Sequence, residues 1–458
     1  MTLQSGSEIG RSRIQRAFIV LETTRGNLAY PAAGDFILVA NDSTISQSPE
    51  YTDSPEKTGT RDIIEQFANA MPPANGNLSM VLRPAGLNGK PQGYDALLSL
   101  FGNSTLETVP VFTLGAAGAS DTSIPVASGV ATLPPCGVIQ VDDELIYYDK
   151  IVTDMDGSEL AGCVRGYDGT AAAAISEGDS GTYKSICFIQ DNNNPSFSFW
   201  LQTDHFLQAV SGCTINAATF SVSNEGPVMV EFTDIQGMEM TFAGTSALTA
   251  GASLGATKVT VVNPKSFKTC IKIWSPSEND YGASGYTVTA VNDVNGEISI
   301  SPSLAKAWAN GAAVAGYLPQ NTTPIGEPIE GVSTKVFLDG VQGKMRTTSL
   351  TYNNNIDYLT DEVGTEFPED YVENARGIEL AQNVYFRKSD AERFKEGYEG
   401  TEVHERFSYG NNKVILDLPR VRQTMPTPTV DGATVSLDIN GTVLGADKGN
   451  NSVFLILN

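Results

Sequence analysis

The sequence predicts a mainly β protein: a tandemly duplicated sandwich or barrel core with short flanking helices and two small inserted β-modules. Three observations carry that class. The 458 residues include 44 Gly and 23 Pro with only 8% aromatics, a turn-rich composition. Apolar and polar residues alternate with a period of two on both sides of a long polar excursion, the pattern of half-buried antiparallel strands. A unit of strand, excursion, strand and helix occurs twice with the same spacing. A chain of this length is expected to hold about two to four domains.

In chain order, residues 1–14 are polar and Gly/Ser-rich and read as a flexible arm. Basic residues Arg11, Arg13 and Arg16 lie in or beside it. A first strand and turn follow, with Thr23-Thr24-Arg25-Gly26-Asn27 supplying turn chemistry. Phe36-Ile37-Leu38-Val39 and Thr44-Ile45-Ser46 then lead into the excursion, through Ser48-Pro49-Glu50, Ser54-Pro55-Glu56 and Gly59-Thr60-Arg61-Asp62. The chain returns as a strand over 77–83. Loops this long inside a domain are uncommon and usually functional. Tyr94, Leu97, Leu98 and Phe101 then fall on one face of a short helix.

From Phe112 the chain becomes rich in small residues, runs through strand-like segments and closes on Gly178 and Tyr183. A similar string begins at Leu248 and closes on Gly311 and Tyr317. Both open on Leu, small residues and a Thr-containing strand, so 112–183 and 245–319 read as two inserted β-modules of about 70 residues. With these set aside, Thr44 and Arg83 stand 39 positions apart, and Thr348 and Arg387 repeat that separation. The second unit ends in a helix with Ser389 and Glu392 as a capping box and Ala391, Phe394 and Tyr398 on one face. Late strand pairs close each half: 213–222 with 228–232, and 413–418 with 433–439 turned by Asp431-Gly432. The core domains are therefore 15–111 with 184–244, and 320–458. Two superposable folds are expected, each with its own sheet system.

Lys and Arg number 29 against 53 Asp and Glu, a net charge of −24. That disfavours gripping a nucleic-acid backbone through a basic surface. It fits simple solubility, or a wall facing a polyanion without holding it. Cys136, Cys163, Cys187, Cys213 and Cys270 are odd in number and widely spaced, and His205 and His404 are the sole histidines. This argues against a zinc site and points to buried free thiols made in a reducing cytoplasm. The apolar run Ala17-Phe18-Ile19-Val20-Leu21 is too short for a signal peptide, and no run approaches the ~18 residues of a membrane span. A soluble protein without an export signal is expected.

No catalytic constellation emerges. Asp142-Asp143-Glu144 lacks EF-hand spacing and reads as a hairpin turn or solvated edge. Ser180 or Ser211 with His205 has no G-x-S-x-G setting, and Phe199 and Trp200 read as core or interface aromatics. The glycines near 115–118 follow neither Walker nor Rossmann spacing. The expectation is a protein that is not an enzyme and uses neither metal nor cofactor.

The elements Ser48-Pro49-Glu50, Gly59-Thr60-Arg61-Asp62, Val81-Leu82-Arg83 and the helix at 94–101 resemble the tail tube (major tail) proteins of long-tailed, non-contractile bacteriophages. Val336-Phe337-Leu338-Asp339-Gly340 followed by Leu350-Thr351-Tyr352-Asn353-Asn354-Asn355 shares the likeness. It covers roughly 14–111, 184–244 and 320–458, and the order of the motifs carries it. The resemblance implies a structural virion protein, made in the bacterial cytoplasm, that stacks rings into a tube for DNA ejection. Its partners would be further copies of itself, tail tip and terminator proteins, and duplex DNA in passage, with no membrane insertion. A ring of three duplicated chains with pseudo-sixfold symmetry is favoured, and six chains is the alternative. The modules resemble small β-domains that decorate phage structural proteins. They are expected on the outside, dispensable for assembly.

Two residue sets follow. The excursions would lie across an adjacent ring, making Glu50, Glu56, Arg61, Asp62, Asp361, Glu362, Glu366, Glu369 and Asp370 inter-ring candidates with Arg11, Arg13 and Arg16. The acidic arm and the basic N-terminal segment would set the register between stacked copies. Thr44, Ser46, Ser79, Thr348, Thr351, Glu379 and Gln382 are lumen-facing candidates, the inward parity being open. The alternative function is a surface-exposed carbohydrate-binding or adhesive β-protein, favoured by the modules and disfavoured by the missing export signal.

Overall fold

The computed structural model describes residues 14–41, 43–56, 62–155, 157–280, 282, 284–320, 326–338, 341–387, 391–432, 434–445 and 451–458. Arg11, Arg13, Gly59-Thr60-Arg61, Asp339-Gly340 and Ser389 lie outside the described residues. The fold is mainly β, as the alternation and turn content predict.

The first half contains β1 (Gln15–Leu21), β2 (Phe36–Ile37), β3 (Thr44–Ser46), β4 (Tyr51–Asp53), β5 (Gln66–Ala68), β6 (Ala74–Val81), α1 (Tyr94–Phe101) and β7 (Gly102–Ser104). The first module follows as β8 (Phe112–Leu114), β9 (Ser123–Ser128), β10 (Gly137–Val141), β11 (Glu144–Tyr148), β12 (Lys150–Asp154), β13 (Gly157–Ala161) and β14 (Ser180–Tyr183). The chain continues as β15 (Ile186–Gln190), β16 (Phe197–Thr203), β17 (Phe206–Ser223), β18 (Met229–Gly237) and β19 (Glu239–Ala243). The second module is β20 (Thr245–Ala247), β21 (Lys258–Thr260), β22 (Lys272–Trp274), β23 (Tyr286–Asn292), β24 (Glu297–Ser301) and β25 (Ala313–Gly316). The second half comprises β26 (Lys335–Leu338), β27 (Val341–Gly343), β28 (Thr347–Asn353), β29 (Ile356–Tyr358), β30 (Tyr371–Glu373), β31 (Gly377–Tyr385) and α2 (Ala391–Glu399). It ends with β32 (Glu402–Tyr409), β33 (Val414–Gln423), β34 (Thr427–Asp431), β35 (Thr434–Val443) and β36 (Phe454–Leu457).

The halves share one connectivity. In the first, β1 pairs with β2 and β16, β16 with β17, β17 with β18 and β19, β18 with β6, and β6 with β3. In the second, β26 pairs with β27 and β32, β32 with β33, β33 with β35 and β36, β35 with β31, and β31 with β28. Strand β34, which the sequence reading passed over, continues β33 and pairs with β35 across the Asp431-Gly432 turn. Together β33 and β34 correspond to the single long β17. Pro426 interrupts the second copy, since proline removes a ladder donor.

The expectation of separate sheet systems requires correction. Strand β28 pairs along the distal part of β17, from Thr347 opposite Ser223 to Asn353 opposite Ala217, so both halves join one 19-stranded system. Strand β15, leaving the first module, also pairs with β36 of the second half. The repeat is real in its topology, yet the halves are fused edge to edge.

Each half is a sandwich. Leu78, Phe220, Phe232, Leu350 and Leu380 of the shared inner sheet pack against Ile19, Phe199 and Val210 of one outer sheet and Phe407, Leu416 and Val421 of the other. Helix α1 plugs this core, with the Phe101 ring 5.3 Å from that of Tyr352 and 6.3 Å from that of Phe220. Burial of each such side chain contributes about 1.5–3 kcal/mol.

The modules are copies of each other. Strand β14 pairs with β8 and β10 in the first, as β25 pairs with β20 and β22 in the second. Likewise β13 joins β9 and β12, as β24 joins β21 and β23. Inserted at different points, they cover equivalent surfaces. The second module packs on Phe18, Trp200, Leu207 and Ala209 of the first half's outer sheet. The first module packs on Cys187, Ile415 and Ile456 of the second half's outer sheet. Each module thus completes a core with the sandwich beneath it and is more than decoration.

Candidate functional site

The inner sheet runs β3, β6, β18, β17, β28, β31, β35, β34 and forms an open half-barrel. One face carries the core just described. The other is open, and its composition follows from strand parity. Ser79 lies opposite Glu231, Glu231 opposite Thr219, Thr219 opposite Thr351, Thr351 opposite Glu379, and Glu379 opposite Thr442. The next row runs Met229, Ser221, Ser349, Ala381, Asn440. A third runs Ser223, Thr347, Asn383, Asp438, Thr427. Thr44 and Ser46 extend the face at one edge, opposite Asn77 and Asn75.

None of these positions carries Lys or Arg. Three carry acids: Glu231, Glu379 and Asp438. Asn383 Nδ2 donates to Asp438 Oδ1 at 2.7 Å, and Thr429 Oγ1 donates to Oδ2 at 2.9 Å. These hydrogen bonds hold the Asp438 carboxyl below the usual Asp range, so its charge persists. A hollow of about 590 Å³ opens on this face between Ser221, Met229, Ser349, Asn383, Asp438 and Asn440. The surface offers hydroxyl and amide dipoles with sparse negative charge, and the Arg346 charge also acts on Asp438.

Five of the seven lumen candidates lie on this face. Thr44, Ser46, Thr351 and Glu379 are exposed there, while Ser79 is covered by Asn41, whose Nδ2 approaches Ser79 Oγ at 3.3 Å. Thr348 and Gln382 are on the opposite face and buried. Gln382 points inward because it donates to the buried Glu405 carboxylate, which Gln423 Nε2 also reaches at 2.6 Å. Sequence reasoning missed Glu231, Asp438 and the Ser/Thr ladder of β17. The apolar partners Leu350, Tyr352 and Leu380 already fix the parity that would have found them.

Neither comparison supplies a relative: no family model matches the chain, and no curated protein matches it in sequence.

The arm candidates divide sharply. Hairpin β29–β30 folds onto the first half of its own chain. Tyr358 is buried, and its hydroxyl donates to the Gly212 carbonyl at 2.7 Å and lies 3.1 Å from Thr214 Oγ1. Ile356 N donates to Asn216 Oδ1 at 2.8 Å. Asp370 pairs with Arg25 at 2.9 Å, and the Arg25 guanidinium covers the Tyr371 ring at 3.9 Å. Asp361, Glu362, Glu366 and Glu369 are exposed. Arg16 sits within β1, bonded to Gln202 Oε1 at 3.0 Å and to the Pro319 carbonyl. In hairpin β4–β5 and its flanks, Glu50, Glu56 and Asp62 are exposed.

The residues weighed for chemistry have structural settings. Asp142 and Asp143 turn the β10–β11 hairpin, with Asp142 at φ 49°. Glu144 is buried instead of solvated, receiving Arg165 at 2.8 and 2.9 Å and the amides of Gly166 and Ala173. Burial pushes its carboxyl up, but these donors outweigh it and hold the group below the usual Glu range. All five cysteines are free thiols, and Cys270 is exposed where a buried thiol was expected. Among the described residues there is no cluster suited to a metal, and no helix is long and apolar enough to cross a membrane.

Proposed function

We propose that this chain is a structural virion protein whose copies join into rings and stack into a tail tube, with the open polar face lining a channel for duplex DNA. One observation carries the reading: the sheet stops at two edges that the interior of the chain knows how to join. Within the chain, β28, the second repeat's counterpart of β3, pairs along the distal part of β17. The counterparts at the ends are β3 and β34. Val222 of β17 is 7% exposed at the internal junction, whereas its counterpart Val430 on β34 is 75% exposed. Pairing of β34 with β3 of the next copy would cover it and continue the half-barrel, because exposed strand edges template further pairing. Two equivalent repeats per chain make three chains a pseudo-sixfold ring.

The lining supports the conduit reading. Duplex DNA presents about one negative charge per ~1.7 Å of axis, so rows of Lys and Arg would hold it in place. Ser, Thr and Asn with sparse acids leave few attachment points. The test is negative-stain microscopy of the purified full chain across a concentration series. Rings or tubes with a central hole are expected. A chain that stays monomeric at high concentration overturns the proposal.

A further inference from the structure

The two arm hairpins have the same register and opposite fates. Tyr51 pairs with Ala68 and Asp53 with Gln66 in the first; Ile356 pairs with Glu373 and Tyr358 with Tyr371 in the second. Tyr51 therefore corresponds to Ile356, and Asp53 to Tyr358. Ile356 is 1% exposed against the preceding repeat, while Tyr51 is 56% exposed. Ile63, Ile64 and Phe67 of the first arm are exposed as well. A hairpin built to the same plan thus stands without its seat.

The seat can be located by register. The ladders Thr219–Glu231–Ser79 and Thr427–Asp438–Asn383 are equivalent, so Thr219 corresponds to Thr427. Counting back along both strands, Asn216 matches Thr424, Thr214 matches Arg422, and Gly212 matches Arg420. The burial pattern agrees: Cys213 and Val421 both face the core. The groups that receive Ile356 and Tyr358 are thus replaced in the second half by Thr424, Arg422 and Arg420. Arg420 Nε and Arg422 Nη2 both donate to Glu402, at 2.8 and 2.7 Å, and Arg420 Nη1 also donates to the Gly445 carbonyl at 2.6 Å. The arm that register aims at them carries Asp53 where the internal arm carries Tyr358.

We propose that the first arm hairpin of one copy docks on Arg420, Arg422 and Thr424 of the neighbouring copy in the same ring, with Asp53 meeting the arginine pair. This rests on the self-assembly proposed above and changes the direction of the arm contact, from an adjacent ring to the lateral neighbour. Its occupant is a second copy of this chain, because the internal arm already makes the equivalent contact. The charge pairing recognises the correct neighbour more than it adds affinity.

A charge swap tests it on the full chain. Asp53→Lys and Arg422→Glu should each raise the concentration needed for ring formation about fivefold. Asp53→Lys should leave the monomer's thermal unfolding unchanged. Arg422→Glu, which loses its own pair with Glu402, should still give a folded monomer by circular dichroism. The double variant should recover wild-type assembly. Separately, a Tyr51→Cys and Thr424→Cys pair should cross-link isolated rings on oxidation, while neither single variant does. Single charge variants that assemble like wild type, a double variant without rescue, or cross-links confined to stacked tubes would each overturn lateral docking. Wild-type tubes formed in the same experiment would leave the assembly reading standing. A wild type that never assembles would overturn both.

Discussion

Arg406 occupies in the second half the place that Trp200 occupies in the first: Trp200 lies opposite Ala209, and Arg406 opposite Asp417. Both look outward from an outer sheet into a docked module. Where the first half buries an indole, the second buries an ion pair. Arg406 Nε donates to Asp417 Oδ1 at 2.6 Å, and Nη1 reaches Oδ1 and the carbonyl of Asp149 in the module at 3.0 and 2.6 Å. His404 Nε2 lies 2.9 Å from the same Asp417 oxygen. Burial pushes the Asp417 carboxyl up, but the His404 contact and the Arg406 charge outweigh it and leave the group below the usual Asp range. Arg406→Met leaves that carboxylate buried without its main counter-charge. The expected loss is about 3–5 kcal/mol in urea unfolding at pH 7. The sign with pH follows from the depressed folded value. The stabilisation is present above the unfolded Asp pKa of ~3.9 and is lost as pH falls through the folded one. The gap between wild type and variant should therefore narrow on acidification from pH 7 to pH 3; a constant gap would place the effect in packing instead. Nothing in the sequence marks Arg406 for this role, because a charged residue in an alternating strand reads as solvent-facing. Glu144 escaped for the same reason: beside Asp142 and Asp143 it looks like part of a turn, and only pairing with Val141 shows it pointing inward.

At the scale of elements, most core strands and α1 were legible, β34 was not, and the seats of the arms and modules were hidden. Tyr94, Leu97, Leu98 and Phe101 announced a one-sided helix; the helix is there, but it is buried nearly all round, with Ala96, Ser99 and Leu100 enclosed as well. The second excursion, with its acids from Asp361 to Asp370, announced an arm, yet its seat is built from the Gly212 carbonyl, Thr214 and Asn216, groups without a sequence signature. The modules show the same division. Their shared opening and closing residues revealed two related units, while their docking surfaces come from strands far away in the chain. Replacing 245–319 by a short Gly/Ser bridge would uncover Phe18, Trp200 and Leu207, all now 1% exposed or less. Each exposed side chain forfeits about 1.5–3 kcal/mol and adds to an aggregation-prone patch. The deletion should therefore yield aggregated protein, and adding Phe18→Thr, Trp200→Thr and Leu207→Thr should return a soluble fold, read by size-exclusion chromatography. A plain deletion that remains monomeric and fully folded would show the module to be a passenger.

For the whole molecule, the repeat was readable from the order of strand, arm and returning strand. The equal spacing of Thr44 to Arg83 and Thr348 to Arg387 is off by one residue: Thr44, opposite Asn77 on the open face, corresponds to Ser349, opposite Ala381, and not to the buried Thr348. Fusion of the repeats was not readable, because edge pairing is made by backbone groups that every residue carries. The same property makes the free edge testable. Val222 and Val430 correspond in the repeat, the first sealed inside the junction and the second open. A lysine at each position therefore asks two different questions. Val222→Lys places an ammonium in the internal junction and should destabilise the monomer by about 3 kcal/mol or more, since a buried charge without a partner is among the costliest substitutions. Val430→Lys meets water in the monomer, so unfolding should shift by no more than about 0.5 kcal/mol. In a ring, however, the same lysine would be forced against the neighbouring core beside β3, and edge lysines are a known block to strand addition. Val430→Lys should thus give a folded monomer that forms no rings, seen by sedimentation and negative-stain microscopy at concentrations where wild type assembles. Rings formed by Val430→Lys at the wild-type threshold would show that β34 is not the joining edge.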